Sequence, residues 1–553
     1  RKDGAMIHWA VTAAWILTPI ALAQGAEQPV GADRVPVIVT GWDSPNTRQF
    51  SEGIRAFEEW GVFDGTTVRA ERLLPSGERA SAINVFSREP WEWSEFAEAV
   101  ADLQSVEPTT CTENYLMVFS NPGDVDWFDD AGWASIVDHW RLLARLAHQG
   151  NLRGLLFDAE PYTPPHSQYL YSAQPGRDAH TFDEYRAKAR QRGREVMEAV
   201  SEECPEITLF SYRLFSDLLG HLDSGSLSLA LETDGYGLLP SFVDGWLDVA
   251  PPGLTLIEGT EAIGYLANSQ AEYDSAYTRL RLRFHEFLAP EHRSKVLQHV
   301  LIGQSLYLDA YINPPSSFWY IDRTGATAAA RLAANLASAI GAADGLVWLY
   351  GEKARWWANS GDTESPLWPE ALDGAVEAIQ RAKDPAGFTA RFWSSMPPPA
   401  NLLPNPDFAS AEGGGESPDG WFPWQVETSH GVISTSEGTV ELRGVTNGVV
   451  GVEVPVQSLR VYAVRVLTRR EGHGLASLNI GWKTAEGVWT ATAQNRCFVG
   501  SSGPDPDGWI EIGGLVQVPA SADVLVFMPH ATGQLSEADR CWFRQPHLAD
   551  VGE

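Results

Sequence analysis

Cysteine is nearly absent: four residues in 553, Cys111, Cys204, Cys497 and Cys541. So few exclude a small disulfide-built scaffold, and no CxxC or other metal spacing occurs. One disulfide in each part of the chain is the simple expectation in an oxidising compartment, with buried reduced thiols as the alternative. Positive charge is also short, 40 Lys and Arg against 72 Asp and Glu, for a formal net charge of −32. Such a surface repels nucleic acid and other polyanions and suits a solvated, exported protein. No apolar run is long enough to cross a bilayer comfortably. The longest, Ala10 to Ala23, follows Arg1 and Lys2 and ends in Ala21-Leu22-Ala23. Residues 1–23 therefore read as a signal peptide for a secreted or periplasmic protein, without stable membrane insertion after cleavage; an uncleaved anchor is the competing reading. A Gly-rich phosphate turn after the first strand, a histidine cluster and a Ser-His-Asp pattern are all missing.

What is present is tryptophan, 22 residues, and a regular alternation of apolar strand-like runs with helix-length periodic segments. The runs begin at Val35, Thr66, Tyr115, Leu155, Ile207, Leu254, Leu301 and Leu346. Ile83 to Trp91 reads as an inserted excursion or a further strand. Eight β-then-α units across residues 34–395 predict a (β/α)8 TIM barrel, with an open doubly wound sheet as the competitor. Pro397-Pro398-Pro399 marks a stiff linker over 396–404. Residues 405–553 then change to short alternating strands with frequent turns, an all-β sandwich.

The chain is organised around Gly154-Leu155-Leu156-Phe157-Asp158-Ala159-Glu160-Pro161-Tyr162, where a buried strand ends in two carboxylates. Residues two apart share a strand face, so Asp158 and Glu160 point the same way. Barrel enzymes work at the strands' C-terminal mouth. The residues expected there are Trp42, Asp43, Asn121, Asp158, Glu160, Tyr162, Tyr212, Glu258, Glu261, Gln304, Trp348, Glu352, Trp356 and Trp357. Carboxylates, amides and aromatics suit cleavage of a glycosidic bond, which needs a protonated carboxyl, an ionised carboxylate and flat apolar faces. Glu160 is the expected general acid, its pKa raised by Asp158. Asp158 or Glu258 is the assisting carboxylate or nucleophile, with Glu352 next in line. The bland readings are an ion-paired Asp158/Glu160, a Glu352–Arg355 surface pair, and core tryptophans. Two rival functions fit the same residues. One is a metal-assisted hydrolase using Asp43, Asp158 and Glu160, and the other is a non-catalytic carbohydrate-binding protein with an inactive barrel.

The Asp158-Ala159-Glu160 end of that strand resembles the D-x-E motif of chitinase and endo-β-N-acetylglucosaminidase barrels. The resemblance implies that Glu160 protonates the leaving oxygen while Asp158 orients a 2-acetamido group. Gly345-Leu-Val-Trp348 is similar to that family's eighth strand, whose Trp floors the sugar site. Leu156 and Arg153 stand where the family has further aspartates. The segments Asn401-Leu-Leu-Pro-Asn405-Pro-Asp-Phe408, Gly420-Trp421-Phe-Pro-Trp424 and Cys541-Trp542-Phe543-Arg544 resemble jelly-roll carbohydrate-binding modules. Trp424, Trp482 and Trp489 are the platform residues this suggests. The resemblance implies a structural calcium, but Arg544 replaces an Asp of that site. The expectation is a protein without cofactor or catalytic metal, whose partner is a poly- or oligosaccharide.

Overall fold

The computed structural model describes residues 35–552 apart from 163–166, 324, 362–363, 410–416 and 501–502. The signal-peptide reading of residues 1–23 lies outside them.

Eight parallel staves form the first half. They are β1 (Val37–Gly41), β2 (Gly65–Val68), β3 (Tyr115–Pro122), β4 (Gly154–Asp158), β5 (Thr208–Ser211), β6 (Thr255–Glu258), β7 (Val300–Ile302 and Gln304–Tyr307) and β8 (Val347–Gly351). Each pairs with its neighbours, and β1 pairs with β8. Closure depends on β7, which breaks at Gly303. Its first piece pairs with β6 and its second with β8. The Gly303 N–H donates to Glu258 O at 2.7 Å and the Gln304 N–H to Leu346 O at 3.0 Å. A side chain at 303 would put its Cβ 2.9 Å from Leu346 O, so glycine lets the stave switch partners. This is the predicted TIM barrel, with one stave in two pieces.

Buried strands need helices on their outer face, and the sequence supplies them. The helix Asp130–Gln149 buries Trp133, Ile136, Trp140 and Leu143 and is capped by Asp129, whose side chain accepts from the Gly132 N–H. Phe182–Glu203 starts with a Thr181/Glu184 capping box. Within the 83–91 excursion, Asn84–Phe86 forms a short strand alongside the far end of β3, Asn84 opposite Phe119.

The second half is a β-sandwich of two antiparallel five-stranded sheets. One is ordered Phe422–Gln425, Asn447–Pro455, Val524–Thr532, Leu475–Lys483, Arg496–Phe498; the other Val432–Ser436, Thr439–Arg443, Arg540–Gly552, Val461–Glu471, Ile510–Gln517. Val450, Leu478 and Phe527 from the first meet Leu442, Val464 and Phe543 from the second in one core.

The two halves touch. Trp393, ending the helix Pro385–Trp393, lies 4.3 Å from the Arg465 guanidinium and 4.7 Å from the His547 ring. Past the prolines, the Leu402 N–H donates to Leu548 O at 2.7 Å and Asn401 Nδ2 to Pro546 O at 2.8 Å. No disulfide forms: all four cysteines are free thiols. Cys111 donates to Phe63 O and Cys541 accepts from Gln534, so these two buried sulfurs have other partners.

Candidate active site

β4 delivers Asp158, fully buried, to the mouth of the barrel. The chain then turns so that the Glu160 N–H donates to Asp158 Oδ1 at 2.8 Å. Asn121, at the end of β3, holds this turn from both sides. Its Nδ2 donates to Glu160 O at 2.9 Å and its Oδ1 accepts the Tyr162 N–H at 3.0 Å. The Tyr162 hydroxyl is thereby set between the two carboxyls, 2.8 Å from Asp158 Oδ2 and 3.1 Å from Glu160 Oε2. A phenol has one proton to donate. The Tyr162 proton goes to one carboxyl or is shared between the two.

Arg213, one residue past Tyr212 and just beyond β5, organises the other side. Its Nη2 reaches Glu160 Oε2 at 3.1 Å and also bonds Glu261 Oε2, to which Nε donates at 2.8 Å. Nη1 donates to Asp217 at 3.0 Å and to the Tyr236 hydroxyl at 2.9 Å. Three carboxyls thus share one guanidinium, with Asp158 behind them. Like charges so gathered resist joint ionisation. Burial pushes Glu261 up to about 8, reinforced by Asp158 and Glu160 and opposed by Arg213. Burial likewise raises Asp158 to about 6, against the hydrogen bonds from Glu160 and Tyr162. Glu160 is the most accessible of these carboxyls, its side chain 35% exposed against 12% for Glu261.

Of the expected site residues, Asp158, Glu160, Tyr162 and Asn121 meet as described. Trp42 lies 71% exposed just beyond β1. Tyr212 and Trp348 stack at 4.4 Å as a buried layer, the tyrosine bonded to Thr40 and the indole to Gly259 O. Glu352 contacts the Tyr307 hydroxyl at 3.2 Å, whereas the Arg355 guanidinium goes to the carbonyls of Trp357, Ala358 and Ser365.

Other expected site residues lie elsewhere. Glu258 is fully buried and accepts the backbone N–H groups of Leu214, Phe215, Ser216 and Thr260 at 2.6–3.2 Å, leaving neither oxygen for a ligand. It anchors the loop that carries Arg213. Gln304 is fully buried and donates to Ala342 O at 3.0 Å, behind the barrel wall. Asp43 accepts the N–H groups of Trp356 and Trp357, fixing the loop after β8. Trp356 is buried against Trp60 and Phe63, and Trp357 stacks on Phe57, so both are core. In the sandwich, Trp482 is core as well, while Trp424 and Trp489 are 40% and 50% exposed. Arg544 lies 4.0 Å over the Trp509 ring. Among the described residues no group of three or more His, Cys, Asp or Glu side chains is arranged to hold a metal ion.

Arg213, Asp217 and Tyr236 complete the cluster and are not expected from sequence. The one signal for them is Arg213 directly after a strand-end tyrosine, with Asp217 four residues on.

No family model matches this sequence, and no curated protein does. Among solved structures, the chain is similar to the enzymatically active domain of tailspike protein 4 of bacteriophage CBA120, at 11% identity and TM-score 0.22 over 27% of this chain and 21% of that one. It is similar to an arabinose-bound α-L-arabinofuranosidase at 15% identity and TM-score 0.21, over 29% of this chain and 28% of that one. It also resembles the CBM22-1 xylan-binding domain from Paenibacillus barcinonensis Xyn10C, at 8% identity and TM-score 0.20 over 28% of this chain and 97% of that one. Likenesses this slight assign neither activity nor ligand to this chain.

Proposed function

We propose that this protein is an exported glycoside hydrolase acting at the mouth of its barrel, with Glu160 presenting the proton to the glycosidic oxygen. The observation that carries this reading is the surplus of carboxyls over cations: Asp158, Glu160, Asp217 and Glu261 around Arg213. Such a cluster holds a proton and an ionised carboxylate side by side near neutral pH, the pair that glycosidic cleavage requires. Glu261 is the reservoir carboxyl across the guanidinium, and Asp158 the partner reached through the Tyr162 hydroxyl. Hydrolysis transfers the Glu160 proton to the leaving oxygen and a water hydroxyl to the anomeric carbon, and the water's remaining proton returns to the Glu160 carboxylate. The exposed rings of Trp42 and Tyr162 supply sugar-stacking faces at the mouth, and Trp424 and Trp489 supply them on the sandwich.

The test is reducing-sugar release from a panel of neutral, acidic, N-acetylated and free-amine glycans by the wild type and Glu160→Gln. Loss of a general acid costs about 10²–10⁴-fold. Release by the wild type that falls by that factor supports the reading. Undiminished release by Glu160→Gln removes Glu160 from the chemistry, and glycan retention without release by either protein favours a binding protein with an inactive barrel.

A further inference from the structure

The charge of the cluster bears on what the mouth accepts. Glu160, Glu261 and Asp217 all lean on Arg213, and Asp158 stands behind them, so four carboxyls face one guanidinium and only the protons they retain offset the excess. A second feature is independent of that count. Tyr265, from the helix Glu261–Leu266, is 6% exposed, and its hydroxyl has no hydrogen-bond partner. Burial, then the Glu261 carboxylate beside it, push that hydroxyl far above the ordinary phenol value. An unpartnered buried hydroxyl carries a desolvation penalty that a ligand donor removes. Its ring is stacked 5.1 Å from Tyr307 and 6.1 Å from Tyr350, so Tyr265 belongs to an aromatic cluster beside Glu261.

We propose that the glycan recognised at this mouth carries protonated amines: hexosamine units with the nitrogen free rather than acylated. An ammonium brings several donors and no acceptor, like the lysine head group. It matches a seat built from the carboxyl oxygens of Glu160 and Glu261, where it favours loss of the Glu261 proton, with the Tyr265 hydroxyl beside Glu261 as a further acceptor. A neutral sugar hydroxyl offers one donor, as does an acylated nitrogen, and neither relieves the charge. A uronate carboxylate is repelled. The chain's formal charge of −32 adds long-range attraction for a polycation. Turnover of such a glycan rests on the hydrolase reading; its preferential binding does not.

Binding is measured with the wild-type full chain in equilibrium titrations at 4 °C, the ligand being checked afterwards for cleavage. The probes are a β-1,4-linked glucosamine hexamer, its fully N-acetylated counterpart and cellohexaose, each at 20 mM and 200 mM salt. The expected result is at least tenfold tighter binding of the free-amine hexamer at low salt, a margin that shrinks at high salt. Tyr265→Phe and Glu261→Gln each narrow the margin further. Equal or tighter binding of either uncharged hexamer, or no binding of any, overturns the inference. Turnover is scored separately on the wild type. Preferred binding of the amine without its hydrolysis upholds this inference and sinks the hydrolase reading. Hydrolysis of cellohexaose with no amine preference does the reverse.

Discussion

Replacing Arg213 with methionine keeps much of the side chain's bulk and removes the one guanidinium on which Glu160, Glu261 and Asp217 converge. An opposite charge within a few ångströms holds a carboxyl's pKa down by roughly 1–3 units, and each unit is about 1.4 kcal/mol between protonation states. Arg213 opposes the rise of both Glu261, at about 8, and Asp158, at about 6. The sign follows directly. Without the cation both carboxyls hold protons to higher pH, so ionisation of the partner and loss of the acid's proton both occur later. The pH profile of kcat/KM on the best substrate of the glycan panel is bell-shaped, with limbs near 6 and 8 that belong to the coupled cluster. In Arg213→Met both limbs move to higher pH by about one unit or more, the alkaline limb leaving the range above about 9. Arg213→Lys restores part of the shift, since a point charge cannot fork to three carboxyls. An alkaline limb that stays in place or moves down, in a variant whose unfolding midpoint is unchanged, would refute the assignment of the working proton to this cluster.

Two further outcomes are expected. Glu258→Gln sets an amide NH₂ against backbone donors and should cost about 2–4 kcal/mol in urea unfolding, because several buried N–H groups compete for one remaining oxygen; strong loss of activity with unaltered stability would return Glu258 to the chemistry. Trp482→Ala should cost about 3–5 kcal/mol as a core truncation, whereas Trp489→Ala leaves the melting temperature nearly unchanged and weakens retention on immobilised glycan; the opposite pattern would exchange their roles.

The barrel is legible in the sequence because buried parallel strands are continuous apolar runs separated by amphipathic helices, and the run from Gly154 to Phe157 ends where two charges begin. The break in β7 is not, since Val300 to Tyr307 reads as one strand; the glycine at 303 is the only mark of a change of partner. Strand parity explains the fate of Gln304: Ser305 bonds to carbonyls in the loop after β6 and the Tyr307 hydroxyl reaches Glu352, while Gln304 faces the helices. Glu258 misleads for a different reason. A carboxylate closing a strand looks the same in sequence whether it meets substrate or caps a neighbouring loop's N–H groups. Arg213 is hidden because only the fold brings residues 160, 217 and 261 to one guanidinium.

The contact of Trp393 with Arg465 and His547 changes what the proline stretch means for reach. A free linker lets an appended module sample a volume, and its effective concentration at the enzyme falls as the linker lengthens. Here Trp393, ending the helix before the prolines, packs on Arg465 and His547, and the segment after the prolines is hydrogen-bonded along the last sandwich strand, so the sandwich is seated on the barrel. Any ligand taken up at the exposed Trp424 or Trp489 would therefore be presented at a restricted set of distances from Glu160. Lengthening the proline stretch alone leaves that distance unchanged, and cutting the chain there uncovers the Trp393 face, so a truncated barrel reports the loss of an interface together with the loss of the sandwich.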